Sequence, residues 1–378
     1  MKERLLVPFR WVWSKRKIVL GILGAFLFIA LVFTIGIYKN CSNAPLTFAI
    51  PESERALDSA YSTSDLRNES NTYLTIPEWY IVYASEEYAN FIKDRGPSGF
   101  PYLPALGEYW CSYSHTTILS QKYPLDSGEH FLLWVIGTSF TAEEIAKSAY
   151  ENTIGRVTEW IGGSQTKEDI FAQRVAAEYG EFLNTIPWYQ FPFKTRLGEL
   201  WSEVPLLGAH PLRKLERRAF LTFEYGFKAA YGALIRKGTA GAYAPEILST
   251  EAIVNTLPST VLSAHPEITI TKKLDATHQL VSLPRYKPFS DLLPTLAKAG
   301  VHFVSIAGNH EIVISLESTS TDPLPKTAAQ PLFEMPRLDT KVGAPTVRRI
   351  FLAVPVHALS ETLNTLSKFA AFEHAYDY

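Results

Sequence analysis

The 21-residue run Ile18 to Tyr38 (IVLGILGAFLFIALVFTIGIY) carries no charge, and it constrains the chain more than any other stretch. At about 1.5 Å per residue, a helix of this length spans roughly 31 Å, the thickness of a bilayer's hydrocarbon core. The run is therefore expected to be a transmembrane helix. Lys2, Arg4, Arg10, Lys15, Arg16 and Lys17 precede it against the single acid Glu3. The positive-inside bias then keeps the N-terminus cytoplasmic and sends everything after Tyr38 across. A cleaved signal peptide fits less well, because its apolar core would be about 7 to 15 residues long and no A-x-A pattern follows. Trp11, Trp13 and Tyr38 flank the run, where amphipathic rings prefer the headgroup level.

The rest of the chain is long enough for two ordinary domains with cores of their own. Net charge is −2, so neither a basic surface for nucleic acid nor an acidic disordered tail is expected. There are two cysteines, Cys41 and Cys111, both on the expected exported side. They form either one bridge with each other or unpaired or intermolecular thiols.

Residues 39–72 read as a linker rich in Ser, Asn and acids, following the basic segment 1–17 and the span 18–38. Residues 73–245 read as an all-α, aromatic-rich domain. Thr75-x-x-Glu78, Thr141-x-x-Glu144 and Thr166-x-x-Asp169 have the spacing of capping boxes and mark three helix starts. Helices are expected over about 103–121, 129–138, 142–161, 167–184, 194–203 and 211–237. The last carries Phe220, Phe223, Phe227, Ala230 and Leu234 as an apolar stripe that calls for a partner, with Glu224 and Lys228 on the other face.

After His265 the period changes to two. Strands are expected at 268–271, 278–283, 301–306, 311–316, 349–354 and 373–378, with helices at 288–299 and 357–369 between them. Gly308-Asn309 reads as a hairpin turn. The order β-α-β-β then β-α-β predicts one ferredoxin-like α+β module over 266–378 and an α+β fold overall.

Four runs, Pro77-Glu-Trp-Tyr-Ile-Val-Tyr, Arg95-Gly-Pro-Ser-Gly-Phe-Pro-Tyr, Ala149-Tyr-Glu-Asn-Thr-Ile-Gly-Arg and Leu212-Arg-Lys-Leu-Glu-Arg-Arg, resemble those of uncharacterised bacterial single-pass membrane-anchored proteins. The resemblance implies a bacterial inner membrane and a periplasmic domain. It implies no catalytic residue.

Two constellations carry candidate chemistry. On the helix expected at 142–161, Glu144, Glu151, Gly155 and Glu159 line one side, with Asn152 and Arg156 beside them. A guanidinium fork and carboxylates so placed suit ligand binding or proton transfer; the plainer reading is a solvated face laced by ion pairs. Glu108, Cys111 and His115 share a helix face with metal-compatible donors, and His130 or Glu86 would complete the set. A small buried cysteine and a satisfied histidine are the simpler account. The basic run Arg213, Lys214, Arg217, Arg218 reads as charge lacing or a lipid-headgroup contact. No nucleophile elbow, phosphate-cradling loop or dinucleotide fingerprint occurs, so no cofactor is expected. The chain therefore reads as an envelope protein bound to the bilayer through 18–38, an interaction or binding module with an envelope partner. The rival is a hydrolase or transferase that uses carboxylates of the helical domain on a lipid or cell-wall substrate.

Overall fold

The computed structural model describes residues 51–239 and 248–376. The expected span 18–38 lies outside them. Among the described residues no helix is long and apolar enough to cross a membrane. The chain is α+β, with a helical half followed by sheets.

The helical half comprises α1 (Asn71–Asp94), α2 (Tyr102–Leu119), α3 (Ser127–Tyr150), α4 (Arg156–Gly162), α5 (Lys167–Leu183), α6 (Phe193–Ser202) and α7 (Pro211–Thr239). One of the three expected capping boxes forms: Thr166 and Asp169 exchange both bonds at the start of α5. Thr141 instead sits in mid-helix, because its hydroxyl donates to the Gly137 carbonyl at 2.6 Å and accepts the Trp110 indole N–H at 3.0 Å. Thr75 likewise lies inside α1, bonded back to Asn71. Asp126 provides the true N-cap of α3, accepting the Glu129 amide at 3.0 Å. The helices expected at 129–138 and 142–161 are thus joined, and a π-helical turn at Glu151–Gly155 links α3 to α4.

The C-terminal half holds two sheets where one was expected. The first contains β1 (Ser249–Asn255), β2 (Thr269–Lys273), β3 (His278–Pro284) and β4 (Phe303–Ile306), in the order β2-β3-β1-β4. The second contains β5 (Glu311–Ser318), β6 (Gln330–Pro336), β7 (Arg348–Pro355) and β8 (Ala371–Tyr376), in the order β6-β7-β5-β8. The two orders are the same when each sheet is counted from its own first strand, and all neighbours are antiparallel. Helices α8 (Ser259–Ala264) and α9 (Lys287–Lys298) belong to the first unit and α10 (Leu359–Leu366) to the second. Gly308-Asn309 makes no hairpin: β4 and β5 lie in different sheets, and the turn, with Ala307 and Gly308 at positive φ, passes the chain between them. Strand β6 escapes sequence reading because Pro331 and Pro336 interrupt it, which only an edge position tolerates.

Strands β5 and β7 are buried on both faces, which is why they read as continuous apolar runs. Ile312, Ile314, Ile350 and Leu352 pack with Phe289 and Leu293 of α9 and Leu359 and Leu363 of α10. On the opposite face Val313, Phe351 and Ala353 meet Tyr73, Ile76, Tyr80 and Tyr83 of α1. Helix α1 therefore serves both halves. A buried ion network fixes it there: Arg349 reaches Glu87 of α1 at 3.1 Å and Glu373 of β8 at 2.6 Å, its guanidinium 3.8 Å above the Tyr83 ring. The expected linker is packed from residue 51 onward as well. Tyr61 donates to the Ser305 carbonyl at 3.0 Å and accepts the Ile253 amide at 3.1 Å, and Asp58 holds His310 at 2.7 Å.

Candidate functional site

Helix α7 is turned the opposite way from its apolar stripe. Arg213, Lys214, Arg217 and Arg218, at positions i, i+1, i+4 and i+5, share one face, and that face is buried. Phe223, Phe227 and Leu234 stay exposed, at 71%, 60% and 66%. The inversion is stabilised because each buried cation meets a carboxylate. Arg213 binds Asp169 at 2.8 Å, Lys214 and Arg218 share Glu168 at 2.9 and 2.7 Å, and Arg217 binds Glu151 at 2.8 Å. The expected charge lacing of this cluster is therefore internal, and the alternative headgroup contact is corrected, because the four cations face acids of the bundle.

Beside this set, helices α1, α3, α5, α6 and α7 enclose a cleft of about 100 Å³. Its wall includes Tyr88, Glu143, Glu144, Lys147, Tyr179, Glu224, Tyr225 and Lys228. Four of these charges close a ring. Lys147 lies 2.6 Å from Glu143 and 3.4 Å from Glu224, while Lys228 lies 2.9 Å from Glu143 and 3.3 Å from Glu224. The two lysines hold both carboxyls below their ordinary range, outweighing the burial that opposes this. Glu143 is surrounded by protein yet its side chain keeps 39% exposure, as expected of a group that faces an internal cleft.

Glu144 stands outside the ring. It is 6% exposed and makes no hydrogen bond among the described residues. Burial pushes its carboxyl from 4.5 up to about 7, against the pull of Lys147. Such a group exchanges a proton near neutral pH, and when ionised it attracts a cation. Burial also raises the phenols of Tyr88 and Tyr225, so both are neutral donors and acceptors.

The four residues expected to form a ligand site do not converge. Glu151 turns inward to Arg217, and burial, opposed by that arginine, raises its carboxyl. Asn152 and Arg156 are exposed and bond each other at 2.7 Å, with Arg156 also donating to the Ser98 carbonyl at 2.9 Å. Glu159 accepts from the Ser98 hydroxyl at 3.0 Å and lies 3.7 Å from Arg213. The π-helical turn separates these roles, and it needs Gly155, where a Cβ would lie 2.2 Å from the Glu151 carboxylate. The acidic side of this segment is thus an interior face, not the solvated one.

The metal-compatible trio is also dispersed. Cys111 is disulfide-bonded, so it offers no thiolate; the sequence's one other cysteine, Cys41, lies outside the described residues. His115 stacks on Phe333 with ring centroids 4.4 Å apart. Glu108 is raised to about 7 by burial and by the neighbouring charge of Glu87. Glu86 accepts from Asn184 at 2.6 Å and His130 bonds Tyr113 at 3.3 Å. Among the described residues no group of three or more His, Cys, Asp or Glu side chains is placed to hold a metal ion.

The sequence signal for the cleft was the run Glu143-Glu144-x-x-Lys147 together with Glu224-x-x-x-Lys228. Each is an ordinary helical charge pattern until the helices face each other. The fold and cleft together define an α+β protein with a polar, aromatic-walled cavity in its helical half. Compared with known protein families, curated proteins and solved structures, the chain matches none.

Proposed function

We propose that this chain is a single-pass protein of a bacterial inner membrane, anchored by residues 18–38, whose exported helical half is a binding module for a small ligand. The supporting observation is the cleft between α1, α3, α5, α6 and α7, which contains a nearly buried acid without a hydrogen-bond partner. An isolated carboxyl in such a place costs folding free energy, which a bound ligand offsets. The disulfide at Cys111 supports an oxidising, exported location. The identical strand orders of the two sheets support reading the C-terminal half as two ferredoxin-like units in tandem, a platform on which α1 and the cleft are held.

Two measurements test this reading. A periplasm-dependent reporter fused after Tyr378 should be active, and a cytoplasm-dependent one silent; the reverse pattern would overturn the topology. A thermal-shift screen of small metabolites on the detergent-solubilised full chain should find ligands whose effect disappears in cleft variants such as Tyr88→Phe combined with Glu144→Gln.

A second reading, a hydrolase or transferase acting on a lipid or cell-wall substrate, is favoured by one observation: Glu144 at about 7 is suited to general acid–base work. In that case Glu144, and not Glu151, is the proton-transferring acid. Loss of turnover by about 100-fold or more in Glu144→Gln, with KM little changed, distinguishes it from simple binding.

A further inference from the structure

Resting on the reading of the cleft as a binding site, we infer that its ligand is a small primary ammonium compound, held by the Glu144 carboxylate and the surrounding phenol rings. The charges of the wall are Glu143, Glu144, Asp169 and Glu224 against Lys147, Arg217 and Lys228. All but one are already matched. Asp169 pairs with Arg213 and Arg217 with Glu151, while Glu143, Glu224, Lys147 and Lys228 neutralise one another in the ring. Glu144 makes no salt bridge among the described residues, so when it is ionised the cleft lacks one cation.

The shape of the missing cation follows from the other wall groups. Tyr88, Tyr179 and Tyr225 line the cleft and their hydroxyls make no hydrogen bond among the described residues, and an ammonium with three N–H donors can use such acceptors. Aromatic faces already serve ammonium groups here: the Lys228 nitrogen lies 5.1 Å from the Tyr179 ring and 5.3 Å from Phe193, and that of Lys147 lies 5.4 Å from Tyr88. An anion fits poorly, because each lysine already touches two carboxylates, and displacing either would leave an acid unpaired in the interior. A volume of about 100 Å³ accepts an ammonium carried on a short stem. Such a group is offered by a free amine or by an aminoalcohol lipid headgroup.

The test is isothermal titration of the full chain in detergent micelles with ethanolamine and with propylammonium, each expected to bind. Acetate and inorganic phosphate are the anionic controls. Glu144→Gln should weaken amine binding at least about tenfold, while its thermal midpoint equals or exceeds that of the parent. Short-chain phosphatidylethanolamine binding more tightly than free ethanolamine assigns a lipid source, and the reverse assigns a soluble amine. Unchanged amine affinity in Glu144→Gln overturns the assignment. Binding of acetate or phosphate without an amine response also overturns it, yet leaves the cleft as a binding site. No heat with any probe overturns the ligand class, while the binding reading fails only if the thermal-shift screen also finds no ligand.

Discussion

Glu144 shows how position, and not residue type, sets behaviour. Glu143, its neighbour in sequence, sits between two lysines and is held ionised, whereas Glu144 faces the same cleft without a salt bridge and burial raises it to about 7. The sign of the linkage follows. An acid whose folded-state pKa is raised binds more protons in the folded state, so stability is retained below about pH 4.5 and lost as pH rises through 7. Glu144→Gln should therefore match the parent near pH 4 and exceed it at pH 8, by an amount on the order of 1–3 kcal/mol in chemical denaturation. A variant no more stable than the parent at pH 8 would contradict this. Gly155 allows a second prediction at this scale. Gly155→Ala places a methyl against the Glu151 carboxylate, which Arg217 holds fixed, and should cost about 1–3 kcal/mol. Gly163→Ala, with nothing near its Cβ but with φ at +71°, tests backbone strain alone.

At the level of elements, α7 and α1 each depart from what their sequences imply. The Phe223, Phe227 and Leu234 stripe of α7 resembles a core-facing seam, but the bundle instead buries the basic face, because the π-helical turn after α3 and the start of α5 present Glu151, Glu168 and Asp169 there. Removing one acid leaves buried cations uncompensated, so Glu168→Ala should cost about 3–5 kcal/mol, while Phe227→Ser on the exposed face should change stability by less than about 0.5 kcal/mol. Urea unfolding of the two variants checks the inversion directly; equal losses would refute it. Helix α1 is buried over most of its length, as a helix between two layers must be. Arg349→Ala should separate it from the second sheet, leaving Glu87 and Glu373 unpaired at a cost of about 3–5 kcal/mol, whereas Arg349→Met retains packing and should cost less.

For the whole molecule, the two sheets share one core, α1 and its neighbours share a second with the second sheet, and the segment from residue 51 packs on the first sheet. The disulfide at Cys111 adds a covalent constraint, so reduction by dithiothreitol should lower stability by about 2–4 kcal/mol. An unchanged thermal midpoint would show that the bond contributes nothing. The sequence by itself determined the α+β class, most helix positions from 102 to 239 and the strand positions of the apolar runs, because periodicity and composition act locally. The capping box of Thr166 was legible for the same reason: all its atoms lie within four residues. Only the tertiary structure decided that the strands split into two sheets of one order, that α7 buries its charges, and that Glu144, and not Glu151 with Arg156, faces the cleft. Each of these depends on which helix or strand supplies the opposite charge or the opposite face, and that pairing is set between residues far apart in the chain, where no local pattern records it.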